Sequence, residues 1–202
     1  MKRYLYVPAV SLAAVIALAG CGTGSDSAPG QNGATTESGA GISADRNQND
    51  VMFVQMMLPH HTQAVEMSEM ILAKEGMRVE VTDLATRIRD TQGPEIELME
   101  GWLEDWDEPA EPEPMAGHDM GSSDDMDGML TQEQMNALGN ATGPEAERLF
   151  LDSMIEHHDG AVAMAEEQIS QGENAEVTAL AQDIAAAQKT EISEMRTLLE
   201  GL

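Results

Sequence analysis

The residues best suited to chemistry lie in two copies of one short motif. The segment MMLPHHTQAVEM at 56–67 recurs as SMIEHHDGAVAM at 153–164. Each copy contains two adjacent histidines, and imidazole is the commonest side-chain ligand for transition metals. The motif therefore indicates four imidazoles as candidate metal ligands: His60, His61, His157 and His158.

A methionine precedes each histidine pair at helical spacing. Met57 lies three residues before His60 and four before His61, and Met154 stands in the same relation to the second pair. On a helix this spacing brings a thioether and an imidazole to one face, where both can reach one ion. Two further methionines continue the same stripe, Met67 and Met164. The alternative is that the methionines fill a core and that the histidines are hydrogen-bonded core residues.

Acidic residues one helix further on complete the candidate set. Glu95 falls in the pattern Gln-x-x-Glu-Ile-x-x-Met after the first motif, and Glu191 falls in the same pattern after the second. Either carboxylate could bind a metal, or could orient a ligating histidine through its second ring nitrogen. A solvated polar edge is the simpler interpretation of the glutamines in these patterns.

The ligand types favour a soft metal. Thioether with imidazole suits Cu(I), whereas imidazole with carboxylate suits Cu(II). Di-iron bundles use a Glu-x-x-His motif, and neither histidine pair has a glutamate three residues upstream. Zinc stays open. The chain's single cysteine, Cys21, excludes sites built from several thiolates. We therefore expect a copper ion as the bound species.

The two motifs belong to an internal duplication that must position them. Residues 50–106 form repeat one and residues 143–202 form repeat two, with identities at an offset of 97 and then 96 residues. Helical periodicity, glycines and prolines predict helices over 45–74, 79–105, 143–170 and 174–199, with a short extra helix around Met135 and Leu138. Two helical hairpins cannot bury their apolar faces separately, so the duplication predicts an all-α four-helix bundle.

The linker between the repeats, residues 107–130, is acidic and rich in Pro and Gly. Its possible metal ligands are Met115, His118 and Met120. The segment could be a metal-capturing strap, or only a solvated acidic loop.

The N-terminal region predicts export and lipid anchoring. Residues 1–20 have a basic start and a short apolar run, which are typical of a signal peptide. The ending Leu-Ala-Gly-Cys resembles a lipobox, so we expect lipidation at Cys21, a flexible tether over 21–44 and the helical domain over 45–202. The formal charge of −27 disfavours nucleic acid and anionic membrane surfaces. The lipid would then be the only membrane contact, on the extracytoplasmic side.

The repeated pattern F-x-x-x-M-[LI]-x-H-H-x-x-A-V-x-M, followed each time by Gln-x-x-Glu-Ile-x-x-Met, resembles the domain of unknown function 305 family. The resemblance implies a ferritin-like helical bundle, an envelope location and a role in copper binding or tolerance. It leaves the activity open: a binder that sequesters or delivers copper, a ferritin-like metal oxidase, or a metal-free structural module of the envelope.

Overall fold

The computed structural model describes residues 42–112 and 128–202. Within these residues the chain forms five α-helices and no β-strand, so the predicted all-helical class is confirmed. The helices are α1 (Gln48–Leu72), α2 (Val79–Trp106), α3 (Gln132–Asn140), α4 (Gly143–Gln171) and α5 (Ala175–Glu200). None of them is both long and apolar enough to cross a membrane. The short helix α3 is the predicted extra element before repeat two.

Side-chain caps mark the start of three of the five described helices, α1, α3 and α5. The Asn47 side chain accepts a hydrogen bond from the Asp50 backbone N–H, while the Asp50 carboxylate accepts one from the Asn47 backbone N–H. This capping box starts α1 three residues later than the sequence pattern predicts. Thr131 caps α3, and Asn174 caps α5. The helix α1 continues through Pro59 without a break.

The arrangement of the helices follows from two hydrophobic clusters. Helix α1 packs on α2, α4 packs on α5, and α1 also contacts α4. One cluster, the distal cluster, joins the first half of α1 to the second half of α4 and includes Phe53, Met57 and Ala161. The other, the proximal cluster, joins the second half of α1 to the first half of α4 and includes Met67 and Phe150. Helices α1 and α4 therefore run antiparallel, and their midpoints meet between the clusters.

Two buried carboxylates link the repeats reciprocally. Asp50 of α1 accepts hydrogen bonds from the backbone N–H of Asn174, at 3.1 Å, and from the Gln168 side-chain amide, at 2.6 Å. Its counterpart in the alignment, Glu147 of α4, accepts from the backbone N–H of Arg78 at 2.6 Å and from the Arg78 guanidinium at 2.8 Å. Because Arg78 precedes α2 and Asn174 precedes α5, each repeat holds the interhelical turn of the other.

We predict that Asp50→Ala destabilises the fold by about 3 kcal/mol, because several buried donors lose their acceptor. Urea denaturation of the two proteins measures the change. Asp152→Ala removes an exposed carboxylate from α4 and serves as the control, with an expected change within about 0.5 kcal/mol. Equal effects of the two substitutions would show that the Asp50 contacts do not hold the repeats together.

Candidate metal centre

The four motif histidines lie together where α1 meets α4. We call them the histidine layer. All four side chains are fully buried. The rings of His60 and His157 are in contact, with centroids 3.7 Å apart and planes inclined at 41°. The rings of His157 and His158 follow at 6.3 Å. The two motifs, 97 residues apart in sequence, thus meet at one place.

Each outer histidine of the layer is held by a glutamate from the neighbouring helix. His61 Nε2 lies 2.8 Å from a carboxylate oxygen of Glu95 on α2, and His158 Nε2 lies 2.7 Å from one of Glu191 on α5. A carboxylate only accepts hydrogen bonds, so with a neutral ring Nε2 donates and Nδ1 keeps its lone pair. In both rings Nδ1 is buried and has no hydrogen-bond partner. Each imidazole therefore offers a buried electron pair, as a metal ligand requires.

Burial strongly affects the protonation of His157. Loss of solvent lowers the pKa of the His157 imidazole well below its ordinary value, and the nearby His60, His158 and His61 lower this pKa further. The backbone of His60 acts in the opposite direction. His157 is thus kept neutral at physiological pH, which is the state in which an imidazole binds a metal.

The structure separates the four predicted methionine ligands. Met57 and Met154 are fully buried one turn before the histidines, on opposite sides of the histidine layer. Met67 is buried in the proximal cluster, about 10 Å along α1 beyond His60. Met164 is only partly buried and lines a cavity at the protein surface. Met57 and Met154 are therefore the predicted sulfur ligands that lie nearest the layer along the helices.

The second helices contribute more buried groups than the sequence alone identified. Met99 shares the distal cluster with Met57, and Met195 shares the proximal cluster with Met154. Gln92 and Gln188, one turn before the two glutamates, are each 3% exposed, and their amide oxygens lack hydrogen-bond partners. These glutamines are not a solvated edge. The repeat alignment marks all four positions, but spacing alone did not show that they are buried.

A cavity of about 430 Å³ opens beside the layer, where the linker rejoins the helices. Gly128, Met129, Glu156 and Asp159 help to line it. Gly128 has φ of +87°, and a β-carbon at this position would lie 2.6 Å from the Glu156 carbonyl oxygen. Glycine thus lets the end of the linker lie directly against the α4 backbone next to His157.

The remaining predicted site residues belong to the linker and to the N-terminal region. Across 42–112 and 128–202, no three side chains of the His, Cys, Asp and Glu types are arranged to hold a metal ion. The predicted lipidation site and the linker ligands lie outside the described residues: Cys21, Met115, His118 and Met120.

We predict that the metal-free protein loses stability on acidification through His157. Between about pH 7 and pH 5 the unfolded chain takes up a proton at His157, whereas the folded chain does not. The free energy of unfolding therefore decreases as the pH is lowered. The slope due to one such group is at most about 1.4 kcal/mol per pH unit. Urea denaturation across this range, with a chelator present, should give a shallower dependence for His157→Gln. Parallel curves for the two proteins would contradict the prediction.

Solved structures resemble this chain over most of its length. A DUF305 fragment from Deinococcus radiodurans is 34% identical, with a TM-score of 0.67, over 77% of this chain and 98% of the fragment. A presumptive secreted DUF305 protein from Streptomyces coelicolor is 35% identical, with a TM-score of 0.69, over 76% of this chain and 93% of its own. CopM in its Cu(II)-bound form is 31% identical, with a TM-score of 0.62, over 75% of this chain and 96% of its own.

A comparison with curated proteins gives no match. Residues 50–199 match the family described as "Domain of unknown function (DUF305)", and this segment holds both histidine motifs and both glutamates. The chain belongs to the DUF305 family.

Proposed function

We propose that this protein binds copper ions and sequesters or delivers them outside the cytoplasm. The observation that carries the proposal is the histidine layer: four fully buried imidazoles where the repeats meet. Burying polar nitrogens without partners costs free energy. In His61 and His158 one nitrogen faces a carboxylate while the other is buried without a hydrogen bond. A bound metal ion would use these nitrogens and offset their desolvation.

Glu95 and Glu191 would then act as positioning residues. A ligating histidine commonly donates its second N–H to a carboxylate, which fixes the ring orientation and increases the basicity of the ligating nitrogen. Both glutamates stand in this relation to His61 and His158. Of the two roles that the sequence left open, ligand or orienting group, the contact geometry favours orientation.

The choice of copper depends on the chemistry of the neighbouring groups. Thioether sulfur, here from Met57 and Met154, is a soft ligand that favours Cu(I). Imidazole binds both copper oxidation states, so the layer would accept Cu(II) as well. CopM, which is similar to this chain over three quarters of its length, has been crystallised in Cu(I)-, Cu(II)- and Ag-bound forms. That similarity supports the same class of ligand for this protein.

The architecture and location complete the proposal. The four long helices would form a ferritin-like bundle of two hairpins, supported by the packing of α1 on α2, α4 on α5 and α1 on α4. Residues 1–20 would direct export, and lipid on Cys21 would anchor the domain through the tether at 21–44.

No nucleophile–base pair or phosphate-binding loop is recognisable in the sequence, so we propose a binder and not an enzyme.

We predict that anaerobic titration of the metal-free protein with Cu(I), and separate titration with Cu(II), will show tight binding. A variant with all four layer histidines replaced by alanine should lose that binding, because both imidazole pairs are gone. The double variant His61→Gln, His158→Gln removes fewer buried groups and tests the same point if the first does not fold. Unchanged copper binding in a folded variant would contradict the proposal.

The control variant uses the fifth histidine of the chain. His118→Ala leaves the layer intact, so it should retain the layer's copper. Loss of binding only in this variant would place the site in the linker. Metal analysis of protein purified without chelators or affinity tags separates a copper binder from a metal-free structural module. Consumption of Cu(I) or Fe(II) in air, with and without the protein, tests the alternative of a metal oxidase.

We also predict that Glu95→Gln combined with Glu191→Gln weakens copper binding by about 10- to 100-fold without unfolding the protein. The amide no longer favours one imidazole tautomer as strongly, so the ligating nitrogen is less basic. Nitrogen NMR of the histidine rings should show the altered tautomer of His61 and His158. Glu97→Gln, on the exposed side of α2, is the control. Unaltered tautomers with reduced affinity would contradict the orienting role.

A further inference from the structure

A second group of sulfur atoms lines a cavity away from the histidine layer. The cavity has a volume of about 140 Å³ and lies where the first half of α1 faces the second half of α4. Met52, Met56 and Met164 line it together with Glu167 and Gln168. All three methionines are partly buried, so their side chains border the cavity without being sealed in the core.

The helices bring these thioethers together by simple register. Met52 and Met56 are four residues apart on α1 and therefore project from the same face. Met164 approaches from α4, seven residues beyond His157, which is about 10 Å along the helix axis. Because α1 and α4 are antiparallel and meet at the histidine layer, the group lies to one side of that layer.

The polar residues of the cavity suit a small cation. Glu167 supplies a carboxylate beside Met164, three residues further along α4. Gln168 is 1% exposed, and its amide nitrogen donates to Asp50 at 2.6 Å. Its amide oxygen is buried and has no hydrogen-bond partner. A buried acceptor of this kind, on a residue that lines the cavity, indicates a missing partner.

Core packing does not account for this arrangement. Methionine usually serves to fill irregular gaps in a core, whereas these three side chains border a gap that stays open. Nor does the duplication explain the group, since Met52 and Met56 correspond to Leu149 and Ser153 in repeat two, and only Met164 has a methionine counterpart, Met67. The group of three methionines is therefore not repeated at the equivalent place in the other repeat.

We infer that this cavity is a second metal site, which binds a soft monovalent cation, Cu(I) or Ag(I), through the sulfur atoms of Met52, Met56 and Met164. Thioethers select soft monovalent ions over hard divalent ones. The Glu167 carboxylate balances the positive charge of the ion. The buried amide oxygen of the adjacent Gln168, which also lines the cavity, is available as an oxygen ligand. The site is independent of the histidine layer, so either can exist without the other.

The test follows the methionine methyl groups by NMR. The full-length protein, labelled with carbon-13 at the methionine ε-methyls, is titrated with silver nitrate in a chloride-free buffer. The resonances of Met52, Met56 and Met164 should shift together and reach a common end point during the titration. Met70 and Met77, which are partly buried elsewhere, should not move with them. Silence of the three methyls while other methionines respond would overturn the site.

A matched pair of variants gives a second measurement. Replacing Met52, Met56 and Met164 by leucine keeps the side-chain volume and should preserve the fold, as circular dichroism will check. This triple variant should bind one equivalent of Ag(I) fewer than the wild type, whereas the control Met70→Leu, Met77→Leu should bind the same number. Equal stoichiometry in all three proteins would overturn the inference.

The histidine-layer variants distinguish this inference from the proposed function. In a folded protein whose layer histidines are replaced, the shifts of the three methyls with Ag(I) should persist. If those shifts vanish there but occur in the wild type, the cavity is not an independent site. If copper binding at the layer fails while the methyl shifts remain, the proposed function falls and the cavity site stands.

Discussion

The burial of four imidazoles at the contact of α1 with α4 is the constraint on which this structure depends. Imidazole is costly to remove from water, yet these four side chains are completely excluded from solvent. They also interrupt the core, because the proximal and distal clusters lie on either side of them. A fold selected for stability alone would place aliphatic residues there. The layer therefore costs stability, and the proposed copper binding would offset that cost.

The surrounding structure holds that layer in a fixed geometry. The reciprocal contacts of Asp50 and Glu147 attach each repeat to the interhelical turn of the other. As a result α1 and α4 are held together near both ends, and their midpoints are brought into register. Glu95 and Glu191 then orient the outer rings from the flanking helices. The duplication supplies each of these contacts twice, so the centre has equivalent support from both sides.

The duplicated features and the unduplicated ones differ in their ligand chemistry. Imidazoles beside carboxylates are present in both repeats, and imidazole is a ligand type that suits copper in either oxidation state. The open group of thioethers at Met52, Met56 and Met164 exists only on one side, and thioether sulfur discriminates strongly in favour of monovalent ions. A protein with both kinds of site could hold copper under oxidising and reducing conditions alike.

The sequence by itself determined the internal duplication and the approximate positions of the helices. The offset identities around His60 and His157 established the duplication, and periodicity with glycines and prolines located the helices, because these signals are local in the sequence. Local rules could not decide which residues meet across helices. Only the tertiary structure shows that the rings of His60 and His157 are in contact and that Met164 lines a surface cavity. Those contacts depend on the antiparallel packing of α1 on α4, which joins residues about 100 positions apart and leaves no trace in the spacing of either segment.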